Sequence, residues 1–133
     1  MSAGEIMVTL LTGHVPLTDL IPVENIMAGT VPAGLLPAVG IKEVSGTEED
    51  TVARAGNSLM TARVQVTVYA ASYPELKAAL KASGLGQGVH TGEIAGYAVR
   101  SVMRDLVGPD MSDDEQQIYE QSRDFKVTYI EPA

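Results

Sequence analysis

Apolar and polar side chains alternate without exception between residues 62 and 70 of this chain. Small apolar residues occupy the even positions, and Arg63, Gln65, Thr67 and Tyr69 occupy the odd ones. Strict period-two alternation in strand-favouring residues predicts a β-strand with one buried face and one polar face. The apolar residues of this strand are Ala62, Val64, Val66, Val68 and Ala70.

Three further segments show weaker strand patterns. In Leu36–Ser45, Val39 and Ile41 share a face but Val44 falls on the other, which predicts a β-bulge or burial on both faces. Gly96–Arg104 predicts a strand with Tyr97, Val99 and Met103 on one face, and the last strand runs to about Ile130 with Phe125, Val127 and Tyr129 together. Between Val23 and Leu36 we expect a short edge strand and a turn.

Two helices are predicted from apolar spacing and from their end residues. Residues 3 to 13 place Ile6, Met7, Leu10 and Leu11 at helical spacing, and Gly13 would end that helix. The second helix begins after Ser72, which with Glu75 forms a capping-box pattern. It buries Leu76, Ala79 and Leu80, keeps Lys77 and Lys81 in water, and ends at Gly84.

The order of these elements predicts the fold class. Strands grouped around one helix, without regular βαβ alternation, indicate an α+β fold. We expect an antiparallel or mixed sheet of four to five strands with two helices packed on one face. A chain of 133 residues suits a single domain, residues 1–133.

Composition and charge narrow the function. The chain has no cysteine, so disulfides and thiolate chemistry are excluded. Its net charge is −8 and its nine basic residues are scattered, which argues against specific nucleic-acid binding and against an anionic membrane surface. Neither a signal peptide nor a membrane-spanning apolar run is expected, so we predict a soluble product made in the cytoplasm.

The sequence suggests no catalytic, cofactor-binding or metal-binding residues. The glycines of residues 84–88 follow a predicted helix and precede a strand, whereas phosphate-binding glycines follow a strand and begin a helix. His14 and His90 have too few possible partners at metal-ligand spacing. We therefore expect a protein that is not an enzyme and that carries no cofactor.

Charged residues concentrate in two predicted polar loops, Gly46–Ser58 and Leu106–Gln116. Adjacent acids repel one another unless they are hydrated or met by a basic partner, so they are poorly suited to the interior. The charged residues of the two loops are therefore the candidates for an interface. These are Glu48, Glu49, Asp50 and Arg54 in the first loop, and Asp110, Asp113, Asp114 and Glu115 in the second.

The succession of segments resembles the small tail-completion proteins of long-tailed bacteriophages. Residues 36–46 are similar to an early segment of that family, in which a leucine-proline pair is followed by a strand and then by a serine-glycine pair. Residues 62–70 and 72–77 look like its central strand and helix, and residues 98–102 and 123–129 look like its ending. The similarity extends from Leu10 to Ile130. The sequence departs from the family at Ala38 and Gly40, where an aromatic residue is usual.

This resemblance implies a virion protein, a tail terminator or tail-completion subunit with no catalytic motif. Such proteins form a ring, commonly a hexamer, that caps the tail tube at its head-proximal end and joins it to the neck. The implied partners are other copies of the chain, the tail-tube protein and the neck or head-completion proteins, with DNA only passing through the channel. Assembly would take place in the host cytoplasm, and the eight charged residues would face an interface or the lumen.

Other functions fit the same residues. The chain could be another neck or head-tail joining component, or a binding or adaptor module of similar fold from outside phages. A weaker alternative is a small enzyme whose site is completed across subunits.

Overall fold

A seven-stranded sheet forms the centre of the computed structural model, which describes residues 2–49, 58–85, 90–113 and 115–131. Within these ranges the strands are β1 (Ile26–Ala28), β2 (Ala38–Glu49), β3 (Ser58–Ala70), β4 (Gly92–Ile94), β5 (Tyr97–Val107), β6 (Met111–Asp113) and β7 (Ile118–Glu131). The helices are α1 (Ser2–Thr12), α2 (Val15–Thr18) and α3 (Tyr73–Ala82), with a 3₁₀ turn over Val23–Asn25.

The strands are ordered β1-β2-β3-β7-β5-β4, and β6 pairs with β7 beyond the end of β5. β1 runs parallel to β2, and every other pairing is antiparallel. The α+β class and the mixed sheet are therefore as predicted, and β1 is the expected short edge strand. The predicted number of four to five strands is wrong, because β4 and β6 are only three residues long and too short for periodicity to reveal.

The core lies on one face of the sheet, under α1 and α3. The even-numbered residues of β3 from Ala62 to Ala70 are buried there, together with Phe125, Val127 and Tyr129 of β7. α1 adds Ile6, Met7 and Leu11, and α3 adds Leu76, Ala79 and Leu80. Each large apolar side chain removed from water stabilises the fold by about 1.5–3 kcal/mol. Both predicted helices pack on this face, and the four-residue α2 was not predicted.

The start of α3 follows its sequence pattern. The Ser72 hydroxyl accepts a hydrogen bond from the backbone N–H of Glu75 at 3.4 Å, and Pro74 occupies the first turn, where no intrahelical N–H bond is lost. Lys77, expected in water, instead binds Asp110 and Gln121, with its side chain 38% exposed.

A β-bulge at Val44 explains the irregular pattern of β2. Glu43 pairs with Val64 and Ser45 with Arg63, so Val44 is the extra residue and its side chain is 53% exposed. A second register shift, between Val99 and Ser101 of β5, changes the face of the residues that follow. Val99 and Val102 are consequently both buried, and the prediction that Met103 shares their face is wrong because it is 50% exposed.

The two predicted loops are shorter than their polarity suggested. β2 continues to Glu49 and β3 begins at Ser58, so both ends of the first predicted loop belong to strands. Its remaining positions, 50–57, lie outside the described residues. In Leu106–Gln116, the first two residues end β5 and Met111–Asp113 form β6. Polar side chains are tolerated in these strand segments because each has one face or edge in water.

β5 and β6 form one arm of a hairpin against β7, interrupted at Gly108–Asp110. The Gly108 N–H donates to the Ser122 carbonyl at 2.9 Å, and Gln121 Nε2 donates to the Gly108 carbonyl at 2.7 Å. Pro109 has no N–H to continue the ladder. The side chain of Gln121 therefore replaces a strand partner at the interruption.

Candidate interaction surface

The sheet has one partly open edge at each end of its strand order. On β2, β1 pairs only with Val39–Ile41, and no described residue pairs with the outer edge of residues 42–49. On β5, β4 covers Tyr97–Val99 and the His90 carbonyl accepts from the Val102 N–H at 3.1 Å. Among the described residues, none pairs with the outer edge of 103–107. Open strand edges present backbone groups that another strand can bind.

Exposed apolar side chains accompany both open edges. Val44 projects from the bulge of β2. On β5, Met103, Leu106 and Val107 are 50%, 62% and 44% exposed. Apolar side chains clustered at a sheet edge are typical of contact surfaces, because they are more stable when covered.

The charges at the two edges have opposite signs on the helix-covered face. On β2, Glu43 lies opposite buried Val64 and Glu48 lies opposite Met60, which packs against the core. On β5, Arg104 lies opposite buried Phe125. Directly opposed residues in an antiparallel pair project from the same face. No carboxylate among the described residues forms an ion pair with Arg104.

Arg123 reinforces the positive charge near the β5 edge. Its guanidinium lies under the end of α3, where a methyl group added at Gly84 would be 3.2 Å from Nη1 of Arg123. Its Nε is buried and has no hydrogen-bond partner within the described ranges. Burial lowers the pKa of Arg123 and the neighbouring charge of Arg104 lowers it further. The guanidinium nonetheless stays protonated at neutral pH, so Arg123 and Arg104 place two positive charges close together here.

The predicted interface residues separate into two groups at opposite ends of the strands. Glu48 is exposed near the end of β2, and its Oε1 accepts from the Ser58 hydroxyl at 3.0 Å. Glu49 is the last residue of β2, and Asp50 and Arg54 lie outside the described residues. Exposed Asp113 lies at the other end, where it ends β6. The contact of these residues with a partner stays a prediction.

The acidic segment near β6 is not one uniform cluster. Asp113 Oδ1 accepts from the backbone N–H groups of Glu115 and Gln116 at 3.1 and 3.3 Å, which shapes the turn before β7. Glu115 is exposed beside it, and Asp114 lies outside the described residues. Asp110 is separate, since its carboxylate binds Lys77 and Tyr73 of α3. The sequence showed these acids but not which of them had a partner within the chain.

The face of the sheet opposite the helices carries a polar network that the sequence did not indicate. Arg63 Nη1 lies 2.7 Å from Asp105 Oδ2 and 3.1 Å from Asp124 Oδ2. The hydrogen bond to Asp124 and the charge of Asp105 raise the pKa of Arg63. This network joins β3 to β5 and β7 and uses the polar positions of the alternating strand.

A cavity of about 450 Å³ lies on the same face, between residues 29–36 and the β6–β7 arm. Gly40 forms its floor, where an added methyl group would be 3.0 Å from Cγ2 of Val31. Tyr69 also lines it, and burial, followed by the charge of Glu120, raises the pKa of this phenol. The absence of a side chain at Gly40 leaves room for the 29–36 segment to fold over the sheet.

The described residues contain neither a group of three side chains suited to holding a metal ion nor a helix long and apolar enough to cross a membrane.

Comparison with known proteins shows the fold. No family model and no curated protein matches the sequence. The structure matches a chain from the virion of a native gene transfer agent particle, with a TM-score of 0.63 at 13% sequence identity. The match covers 97% of this chain and 97% of the other, so the two share an architecture over nearly their whole length.

Proposed function

We propose that this chain is a structural virion protein, a tail terminator or tail-completion subunit that forms a ring between the tail tube and the neck. The observation that carries the proposal is the fold shared over 97% of both chains with a component of a gene transfer agent virion. The resemblance of the sequence to tail-completion proteins points the same way. In this proposal the protein has no catalytic activity, and its ring is a hexamer.

The open edges of the sheet suit a ring subunit. The two open edges, at β2 and at β5, lie towards opposite ends of the strand order, so one copy can meet the next through two different surfaces. Contacts between unlike surfaces build rings when the rotation closes. Exposed apolar side chains at both edges favour such contacts, because a monomer leaves them in water.

The acidic balance suits a ring through which DNA passes. A net charge of −8 per subunit repels the phosphate backbone, so a channel lined by these subunits would not retain DNA. The exposed carboxylates of Glu48, Asp113 and Glu115, at opposite ends of the strands, are candidates for the lumen or for the surfaces that meet neighbouring virion proteins.

The proposal is tested by removing the chain from particles and by locating it in them. Particles made without the protein should show tails that are unfinished at the head-proximal end, or tails and heads that are not joined, in negative-stain electron microscopy. Supplying the purified protein should restore joining. Complete, infectious particles that lack the chain would contradict the proposal. If the labelled protein lay at another position in the neck, it would instead be a different head-tail joining component. If the protein were absent from particles, the adaptor alternative would be supported.

A further inference from the structure

One row of directly paired residues crosses the four central strands and ends at the two open edges. Glu43 pairs with Val64, Val64 pairs with Phe125, and Phe125 pairs with Arg104. The row begins with an acid on β2 and ends with a base on β5. All four residues project from the helix-covered face, because paired antiparallel residues share a face. With strands about 4.8 Å apart, the row spans roughly 14 Å.

The open stretches of the two edges overlap at the level of this row. β1 covers β2 only as far as Ile41, just before Glu43. Beyond Val102, β5 is uncovered from residue 103, just before Arg104. Both end residues of the row are therefore accessible to a neighbouring strand, and neither has an ion-pair partner within the described residues.

Strand directions allow the sheet to continue from one copy to the next. β2, β3, β7 and β5 alternate in direction, so β2 and β5 are antiparallel to each other. If the next copy keeps the same strand direction, as it does in a ring whose axis follows the strands, its β2 meets β5 as an antiparallel pair. With no shift along the axis, Arg104 of one copy then lies opposite Glu43 of the next.

We propose that copies of this chain associate by pairing the β5 edge of one with the β2 edge of the next, in the register that places Arg104 against Glu43. The occupant of each open edge is thus a second copy. This inference rests on the proposed ring function and deepens it by naming the surfaces and the register. The interface is a short β-ladder in which a charge pair fixes the register.

Apolar contacts support the same register. Val44 is the residue after Glu43, and Met103 precedes Arg104, with Leu106 and Val107 following. Each of these four apolar side chains is at least 44% exposed in the single chain. Pairing the edges would cover them together, around the charge pair, so that burial supplies affinity while the ion pair selects the register.

Charge reversal tests the pair directly. Glu43→Lys and Arg104→Glu should each weaken self-association about tenfold, measured by sedimentation velocity over a range of protein concentrations, because each places like charges opposite one another. The double variant, with the charges exchanged, should regain most of the loss. Glu24→Lys and Lys81→Glu make the same charge changes at exposed positions before β1 and on α3, away from the open edges, and should leave association unchanged. Equal effects of control and edge variants, or no rescue in the double variant, would overturn the proposal.

Cysteine cross-linking gives an answer that does not depend on affinity in solution. The chain has no cysteine, so Glu43→Cys combined with Arg104→Cys creates a specific pair. In assembled particles, mild oxidation should join this variant into dimers, trimers and higher species, because each copy carries both halves of the contact. Either single variant should remain a monomer on a denaturing gel. If oxidation of particles that contain the double variant gave no cross-linked species, the edge pairing would be overturned.

The two proposals fail in different ways. If particles need the chain for joining heads to tails but the cysteine pair does not cross-link, the edge pairing is wrong and the proposed function stands. If the purified chain forms the cross-linked ladder but particles assemble fully without it, the edge pairing stands and the tail role is wrong.

Discussion

Lys77 and Asp110 join α3 to the interruption between β5 and β6, with Nζ 3.0 Å from Oδ2. Tyr73 donates to the same Oδ2 at 2.8 Å, and Lys77 also donates to Gln121 Oε1 at 2.6 Å. Gln121 in turn holds the Gly108 carbonyl. One chain of hydrogen bonds therefore connects the helix to the place where the ladder of strand hydrogen bonds is interrupted.

The stability supplied by Asp110 should depend on pH. Its hydrogen bonds from Lys77 and then Tyr73 hold the pKa of Asp110 below its ordinary value of 3.8. A carboxylate whose pKa is lower in the folded state stabilises the fold above its unfolded pKa, and this stabilisation is lost as the pH falls through the folded value. Asp110→Asn should thus lower the urea midpoint at pH 7. The difference in urea midpoint between the variant and the parent should become smaller below about pH 4.

A matched control is available for this change. Asp19 is an exposed carboxylate without an ion pair among the described residues, so Asp19→Asn should shift the midpoint less than Asp110→Asn at pH 7. A difference between parent and Asp110→Asn that stays constant from pH 7 to pH 3 would show that the charge of Asp110 is not responsible.

The turn between β4 and β5 should be stabilised by a single substitution. Ile94 pairs with Tyr97, leaving the two-residue loop Ala95–Gly96 with φ angles of 55° and 84°. Two positive φ values define a turn that prefers Asn-Gly, and alanine is strained at the first position. We expect Ala95→Asn to raise the free energy of unfolding by about 0.5–1 kcal/mol and Ala95→Val to lower it, both measured by chemical denaturation. If Ala95→Asn lowered the free energy of unfolding and Ala95→Val raised it, the turn would have another conformation.

Local patterns predicted the core of this protein but not its edges. The alternation in Ala62–Ala70 and the cap at Ser72 involve residues near each other in sequence, so the periodicity and the turn chemistry reveal them directly. The placement of Glu43 and Arg104 at the two ends of one row of paired residues depends on the order of strands in the sheet, which no local pattern contains. The partner of Asp110 is similarly hidden, because Lys77 reaches it only after α3 has packed on β7.

Phe125 should be the most costly single truncation among the residues of the central row. It is the one phenylalanine in the chain and is 1% exposed between Val64 and Arg104. Phe125→Ala removes a large buried side chain and leaves a cavity, which costs about 3–5 kcal/mol. Val64→Ala should cost less, because fewer atoms are removed. Denaturant unfolding measures both, and a loss below about 1 kcal/mol for Phe125→Ala would contradict the described core.

The acids of the turn between β6 and β7 should affect assembly more than stability. Changing Asp113, Asp114 and Glu115 to Asn, Asn and Gln removes three charges while keeping similar shapes. At position 113 an asparagine Oδ1 still accepts from the backbone N–H groups of residues 115 and 116, so the turn keeps its hydrogen bonds. The melting temperature of the isolated subunit should therefore change by only a few degrees at most.

Assembly of tails should respond to this triple change in a salt-dependent way. Exposed charges are screened over about 10 Å at 0.1 M salt, so an electrostatic role should be largest at low ionic strength and fade at high ionic strength. We would follow tail completion at two ionic strengths beside the melting temperature, with Asp113→Ala as the control that breaks the turn and keeps the other two acids. A large loss of stability in the triple variant would show that these acids are structural. Normal stability together with normal assembly at both salt concentrations would contradict the role in assembly that the charge of these acids predicts.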